Sequence, residues 1–180
     1  MKLKELFELR KQLKEDINGN ILIYNSWIED GRFPEKHQYK GQKLNGNFDC
    51  SECGDLKSLE GAPDSVTGNF DCWKCKKLSS LEGAPDSVTG NFYCHHCTKL
   101  SSLEGIGVKY LKQINGKIDL EDCPIKSHVL GLLKVKDLKE VKMDNKEVEE
   151  ILNKHLKSGR NINKCKSELK DAGLEEYAQL

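Results

Sequence analysis

Six cysteines fall into three pairs of one spacing, in FDCSEC at 48–53, FDCWKC at 70–75 and FYCHHC at 92–97. Two thiols separated by two residues can share a tetrahedral zinc, and 18 residues between successive pairs is a separation that zinc modules also use. Read that way, Cys50, Cys53, Cys72, Cys75, Cys94 and Cys97 are ligands of a zinc-stabilised module, and nucleic acid is the partner such modules suggest. A second chemistry is a thiol beside an imidazole, as in Cys94 with His95, in an enzyme or enzyme regulator that uses His95, His96 and the cysteines. Alternation along a strand would point Cys94 and His95 to opposite faces, which weakens that pairing. No Walker loop, dinucleotide fingerprint, nucleophile elbow or metalloprotease helix motif is present, so the expectation is a protein that is not an enzyme.

The cysteine pairs ride on a longer repeat. LKSLEGAPDSVTGNFDC (56–72) and LSSLEGAPDSVTGNFYC (78–94) are nearly identical and offset by 22 residues. Aligning Phe48, Phe70 and Phe92 as one column exposes weaker copies on both sides: Ile21 in GNILIYNSWI, Ile118 in GKIDLEDCPI and Val141 in LKEVKMDNK. The column therefore recurs at 21, 48, 70, 92, 118 and 141. Six units of this size predict a solenoid in which each unit buries its apolar residues only against its neighbours.

Within a unit, Phe70 and Cys72 alternate with Asn69, Asp71 and Trp73, the period of a half-buried strand. One short strand per unit stacks into a parallel sheet. Leu78, Leu81, Pro85 and Val88 follow at irregular spacing, and Gly83 and Pro85 break any regular helix, so the return path is predicted to be loop or a turn of 3₁₀ helix. FDCWKCKKL resembles the leucine-rich repeat, with Phe and the first Cys in the strand leucine places, the second Cys in the Asn/Cys place and Leu78 one residue late. The unit Ile118, Leu120, Cys123, Ile125 fits without that extra residue. The SLEGAP wording is also similar to short repeats of uncharacterised bacteriophage and bacterial proteins. The fold class this implies is an α/β repeat solenoid: a short parallel sheet of about six leucine-rich-repeat-like units between helical caps.

In the repeat reading Cys50, Cys72 and Cys94 are small core residues, since free cysteine is among the most buried residue types. Cys53, Cys75, Cys97 and Cys123 stand where the leucine-rich repeat often has Asn, bonding backbone groups at the turn after the strand; a thiol is a weak donor that fits the space. The unit at Ile118 keeps only one cysteine, with Leu120 in the other place, while the unit at Ile21 has Ile23 and Ser26. A packing column grades into aliphatics in this way and a metal site does not, so the expected cofactor is none, with zinc as the alternative.

An open stack needs its ends covered. Leu3, Leu6, Phe7, Leu13 and Ile17 form one helical stripe, and Val148, Ile151, Leu152 and Leu156 form another, followed after Ser158-Gly159 by Ile162, Cys165, Leu169 and Ala172. The expected organisation is a cap helix over 1–18, the solenoid over 19–145 and a helical cap over 146–180. The 29 basic and 29 acidic side chains cancel, which gives no reason to expect nucleic acid or an anionic membrane as partner. The first residues alternate charge with leucine and form neither a secretory signal nor a membrane span, so the expected location is cytoplasmic, with the thiols reduced.

If the Phe and first-Cys columns face inward, the strands turn an outward ladder to solvent. It places Trp73, Tyr93 and His95 side by side as an aromatic patch, flanked by Asp49, Asp71 and Asp119, with Tyr24 further along the same face. Large aromatics are enriched at binding hot spots, and an acidic flank opposes phosphate backbones while suiting a basic protein surface. The seven residues are therefore the candidate contacts of a protein partner. The resemblance to phage repeats adds one specific expectation, a phage protein that inhibits or redirects a host protein such as a defence component, acting in the bacterial cytoplasm.

Overall fold

The computed structural model describes residues 19–180. The amphipathic segment assigned to the N-terminal cap helix, 1–18, lies outside the described residues. Ten short strands follow one another: β1 Ile21–Leu22, β2 Lys43–Leu44, β3 Phe48–Asp49, β4 Ser65–Val66, β5 Phe70–Asp71, β6 Ser87–Val88, β7 Phe92–Tyr93, β8 Gln113–Ile114, β9 Lys117–Asp119 and β10 Glu140–Lys142. They form a six-stranded sheet in the order β1-β3-β5-β7-β9-β10 and a four-stranded sheet in the order β2-β4-β6-β8. Every pairing is parallel. The chain thus winds as a β-solenoid of about five turns.

The register of the first sheet is the column derived from the period. Ile21 pairs with Phe48, Phe48 with Phe70, Phe70 with Phe92, Phe92 with Ile118 and Ile118 with Val141. The three phenylalanines stack inside the coil, 5.1 Å and 5.2 Å between centroids and close to coplanar. Leu56 and Leu59, Leu78 and Leu81, and Leu100 and Leu103 repeat beneath them, all fully buried. Because each apolar side chain meets its own equivalent one turn away, a single residue type per column closes the core without complementary shapes.

The return paths match expectation in part. Turns of 3₁₀ helix occur at Asn25–Trp27, Glu35–His37 and Val129–Lys134, but the first four return paths also carry a strand of the second sheet, in which Leu44, Val66, Val88 and Ile114 pair in one inward column. Gly83 and Pro85 do exclude a helix there, but they end before Ser87. A strand of two residues with one inward side chain is too short to show alternation, so only its stacking on the neighbouring turn makes it a strand.

The Gly-Asn step between the sheets has a separate cause. Asn47 N–H donates to Asn20 Oδ1 (3.0 Å), Asn69 N–H to Asn47 Oδ1 (2.7 Å), Asn91 N–H to Asn69 Oδ1 (2.9 Å) and Lys117 N–H to Asn91 Oδ1 (2.9 Å). A column that alternation assigns to the solvent face is thus a hydrogen-bonded ladder along the stack. The preceding glycine is needed for close approach: a Cβ on Gly90 would lie 2.7 Å from Gly68 O and against Asn69 Oδ1.

The last turn is closed by helix α1, Lys146–Lys157, which is followed by α2, Ile162–Asp171. The Asn145 and Asn161 side chains cap their first turns by accepting from Val148 N–H and Lys164 N–H. Val148, Ile151, Leu152 and Leu156 are buried, as are Cys165 and Leu169. Among the described residues no seventh strand lies beside β10. The Asn153 amide takes that place, its Oδ1 accepting from Val141 N–H and its Nδ2 donating to Val141 O, both at 2.8 Å. Glu149 Oε2 accepts from Met143 N–H (2.7 Å), so the edge backbone is satisfied by side chains of α1. No helix among the described residues is long and apolar enough to cross a membrane.

Candidate functional site

The structure divides the two cysteine columns by what their sulfurs do. Cys50, Cys72 and Cys94 point into the core between the phenylalanines and the leucines and are fully buried. Cys53, Cys75, Cys97 and Cys123 sit at the corner and donate to a carbonyl of the preceding turn: Ile23 O (3.6 Å), Cys50 O (3.2 Å), Cys72 O (3.2 Å) and Cys94 O (3.0 Å). The thiol therefore does at this corner what an Asn side chain would do, with a longer and weaker bond. Burial pushes the thiols of Cys50 and Cys72 well above the usual range and that of Cys53 up to about 12. Such thiols are poor nucleophiles. Among the described residues, no group of three or more Cys, His, Asp or Glu side chains is arranged to hold a metal ion.

Three of the six strands of the first sheet, β3, β5 and β9, end in the same way. An aspartate as the last residue accepts from the N–H two residues on: Asp49 from Ser51 (2.9 Å), Asp71 from Trp73 (3.2 Å) and Asp119 from Glu121 (3.4 Å). The chain then turns through a left-handed residue at Glu52, Lys74, His96 and Asp122, with φ of 58°, 57°, 59° and 56°. The N–H groups of Glu52, Lys74 and His96 donate to carbonyls of the following turn, which offsets the cost of that backbone conformation. This corner aims the residue before it, Ser51, Trp73, His95 or Glu121, outward over the sheet.

Trp73, Tyr93 and His95 come together as the strand ladder predicts. The His95 ring stacks on Trp73 at 5.5 Å with 13° between planes, and Tyr93 meets His95 edge-on at 6.4 Å. Lys74 Nζ lies 4.2 Å from the Trp73 centroid while donating to Glu52 Oε1 of the preceding turn (3.2 Å). The indole is thus held between an ammonium on one side and an imidazole on the other. Tyr93 is fixed in turn: its hydroxyl accepts from Asn91 Nδ2 (2.9 Å), and Lys117 Nζ lies 5.0 Å from its ring. His95 Nδ1 is enclosed with no hydrogen-bond partner among the described residues, and burial holds the imidazole below its usual pKa, favouring the neutral ring. The patch is a rigid stack of half-buried rings.

Tyr24 does not join it. It lies on the same face two strands away, 52% exposed, with its ring edge on Trp27 at 4.9 Å. The acidic residues also separate into two kinds. Asp119 is buried and paired with Lys117 Nζ at 3.1 Å, and Glu121 is paired with Lys146 Nζ at 3.0 Å. Asp49 and Asp71, Cα partners in adjacent strands, have no cation in ion-pairing range among the described residues. Burial, reinforced by the Asp49 carboxylate and opposed by the Trp73 N–H bond, pushes Asp71 up to about 6.

Alternation places Lys117 on the outward face but misses Lys74, which reaches the face only through the left-handed corner. A signal was present in the repeat. The units 56–77 and 78–99 differ at five positions, Lys57/Ser79, Asp71/Tyr93, Trp73/His95, Lys74/His96 and Lys76/Thr98. Four of these lie on the strand face or its corner, while the exposed pairs Glu60/Glu82, Asp64/Asp86 and Thr67/Thr89 on the return path are unchanged. No family model matches this chain, and neither a curated protein nor a solved structure matches it.

Proposed function

We propose that this protein is a non-enzymatic binding module that engages a protein partner through the outer face of the six-stranded sheet. The observation that carries the reading is where the two most similar turns diverge. Drift after duplication would alter exposed positions of both sheets alike. The differences instead concentrate on the strand face and its corner, and they introduce Trp, Tyr and His, residue types suited to contact surfaces. Rings already immobilised by stacking lose little conformational freedom on binding, which raises the affinity available per contact. Unpaired carboxylates beside the rings oppose a phosphate backbone, which disfavours nucleic acid. The similarity to phage repeats makes a host protein of a bacterium the first partner to seek, in the cytoplasm.

The test is affinity capture from a bacterial lysate with wild type and with Trp73→Ala/Tyr93→Ala, followed by mass spectrometric identification and a binding isotherm with the purified partner. The expected result is a partner bound by wild type and weakened at least about tenfold by the double substitution. A partner held equally by both proteins would remove the aromatic patch from the binding surface.

A further inference from the structure

Six outward residues of the first three strands and the aromatic patch make one continuous surface: Leu22 and Tyr24, then Asp49 and Ser51, then Asp71 and Trp73. Leu22 and Tyr24 are 46% and 52% exposed, large values for apolar side chains on a sheet. Two half-buried carboxylates stand between this apolar edge and the indole. Further along the face, Asp119 and Glu121 are neutralised from within, by Lys117 and Lys146. Asp49 and Asp71 each direct one oxygen to a strand-ending bond, and no cation of the described residues reaches the other. Among the described residues, nothing supplies the cation and the apolar cover that this half of the face would match.

We infer that this half of the face docks an extended segment of a partner protein through an arginine whose guanidinium bridges Asp49 and Asp71. The inference rests on the binding-module reading above and names the chemistry of the partner. Asp49 and Asp71 are Cα partners in adjacent parallel strands, which lie about 4.8 Å apart; a planar fork of N–H donors meets both carboxylates with one bond each in a fixed geometry, whereas an ammonium bridges them only as a more strongly hydrated point charge. The alkyl stem and the neighbouring apolar side chains of the segment lie on Leu22 and Tyr24 to one side and on the Trp73 edge to the other. Two carboxylates on adjacent strands repel one another, and Asp71 is also raised by burial; a cation between them relieves the repulsion. Arginine is thus favoured over lysine at this site, and a neutral isostere of the same shape is excluded.

Capped Leu-Arg-Leu, Leu-Lys-Leu and Leu-citrulline-Leu peptides are titrated into the full chain, followed by the Asp carboxyl carbon and Trp indole N–H resonances. The expected result is saturable binding of the arginine peptide that shifts the Asp71 carboxyl and the Trp73 indole, weaker binding of the lysine peptide and none of the citrulline peptide. Asp49→Asn/Asp71→Asn preserves the acceptors for the strand-ending bonds and should weaken the arginine peptide at least about tenfold. Equal response to arginine and citrulline, no response at Asp71, or undiminished binding by the double Asn variant each overturns the inference. Failure here is separable from failure of the wider reading. A captured partner lost by Trp73→Ala/Tyr93→Ala but retained by Asp49→Asn/Asp71→Asn leaves the binding module standing and refutes the arginine clamp.

Discussion

Asn153 is the residue on which closure of the solenoid can be tested most directly. Its amide replaces a missing strand by giving and taking one hydrogen bond with Val141, each 2.8 Å long. Asn153→Ala removes both. A backbone hydrogen bond contributes a net of about 0.5–1.5 kcal/mol, and Asn153 is only half-buried, so water can partly replace it. The expected loss is about 1–3 kcal/mol, or roughly 3–10 °C in Tm for a chain of this length. Asn153→Asp separates the two bonds. Its carboxylate still accepts from Val141 N–H but sets a second anionic oxygen against Val141 O, so at neutral pH the loss should equal or exceed that of Asn153→Ala. Facing a carbonyl raises the folded-state pKa of the introduced carboxyl. The stability it contributes is then complete below its unfolded pKa of about 3.9 and disappears as pH rises through the folded value. Denaturant titrations of the three proteins across pH, each variant referred to wild type at the same pH, give the energies, and hydrogen exchange at the Val141 amide gives the location. If both variants unfold with wild type and Val141 exchanges no faster, the helix does not close the sheet through Asn153.

Gly90→Ala should cost about 1–3 kcal/mol or more, because its Cβ meets the backbone of Gly68 and the Asn69 ladder carbonyl rather than a side chain that can move; equal denaturation midpoints would show that the turns can separate without penalty. Native protein should react with a small thiol reagent far more slowly than unfolded protein at the seven cysteines of the two columns, since all are buried; rapid stoichiometric labelling under native conditions would contradict the ladder assignment. Asp71→Asn keeps the acceptor for Trp73 N–H and removes a carboxyl raised from 3.8 to about 6. A raised acid stabilises the fold only while protonated, so wild type loses this contribution as pH rises from about 4 through 6. The variant should be more stable by about 1–2 kcal/mol at pH 7 after discounting for solvent screening, with the difference vanishing near pH 4; a pH-independent difference would refute the assignment.

How much of this was legible follows from how many residues report on each element. The six-strand column could be placed from 21 to 141 because Phe48, Phe70 and Phe92 are reinforced by alternating neighbours and by a period that leaves no other register. The second sheet could not, since Val66 and Val88 are single inward residues flanked by turn-formers. The corner thiols were readable as stand-ins for Asn because their spacing after the strand is fixed. The Asn ladder was not, because a side chain that bonds along the stack and one that faces solvent occupy the same alternating position. The aromatic patch followed from strand register alone. Its acids did not divide into paired and unpaired until Lys117 and Lys146 were placed, and Lys146 belongs to a helix whose docking no local pattern states.

The two similar turns clarify why the face rather than the core should carry function. Stacking equivalent residues in columns makes each turn's sequence a constraint on its neighbours: a change at Phe70 must be met at Phe48 and Phe92, and a change at Gly90 at Gly68. The inward columns and the Gly-Asn step are therefore locked together, whereas an outward side chain on the sheet can change in one turn alone. Exposed positions on the return path share that freedom, yet Glu60/Glu82, Asp64/Asp86 and Thr67/Thr89 are identical and Lys57/Ser79 alone differs there, so freedom to vary does not by itself account for Asp71/Tyr93 and Trp73/His95. The proposed binding role does, through different contacts in successive turns. On the same proposal Asp71 stands where Asn would be the more stable choice because a bound cation recovers the stability that the carboxylate costs the free protein, a trade-off common to binding surfaces.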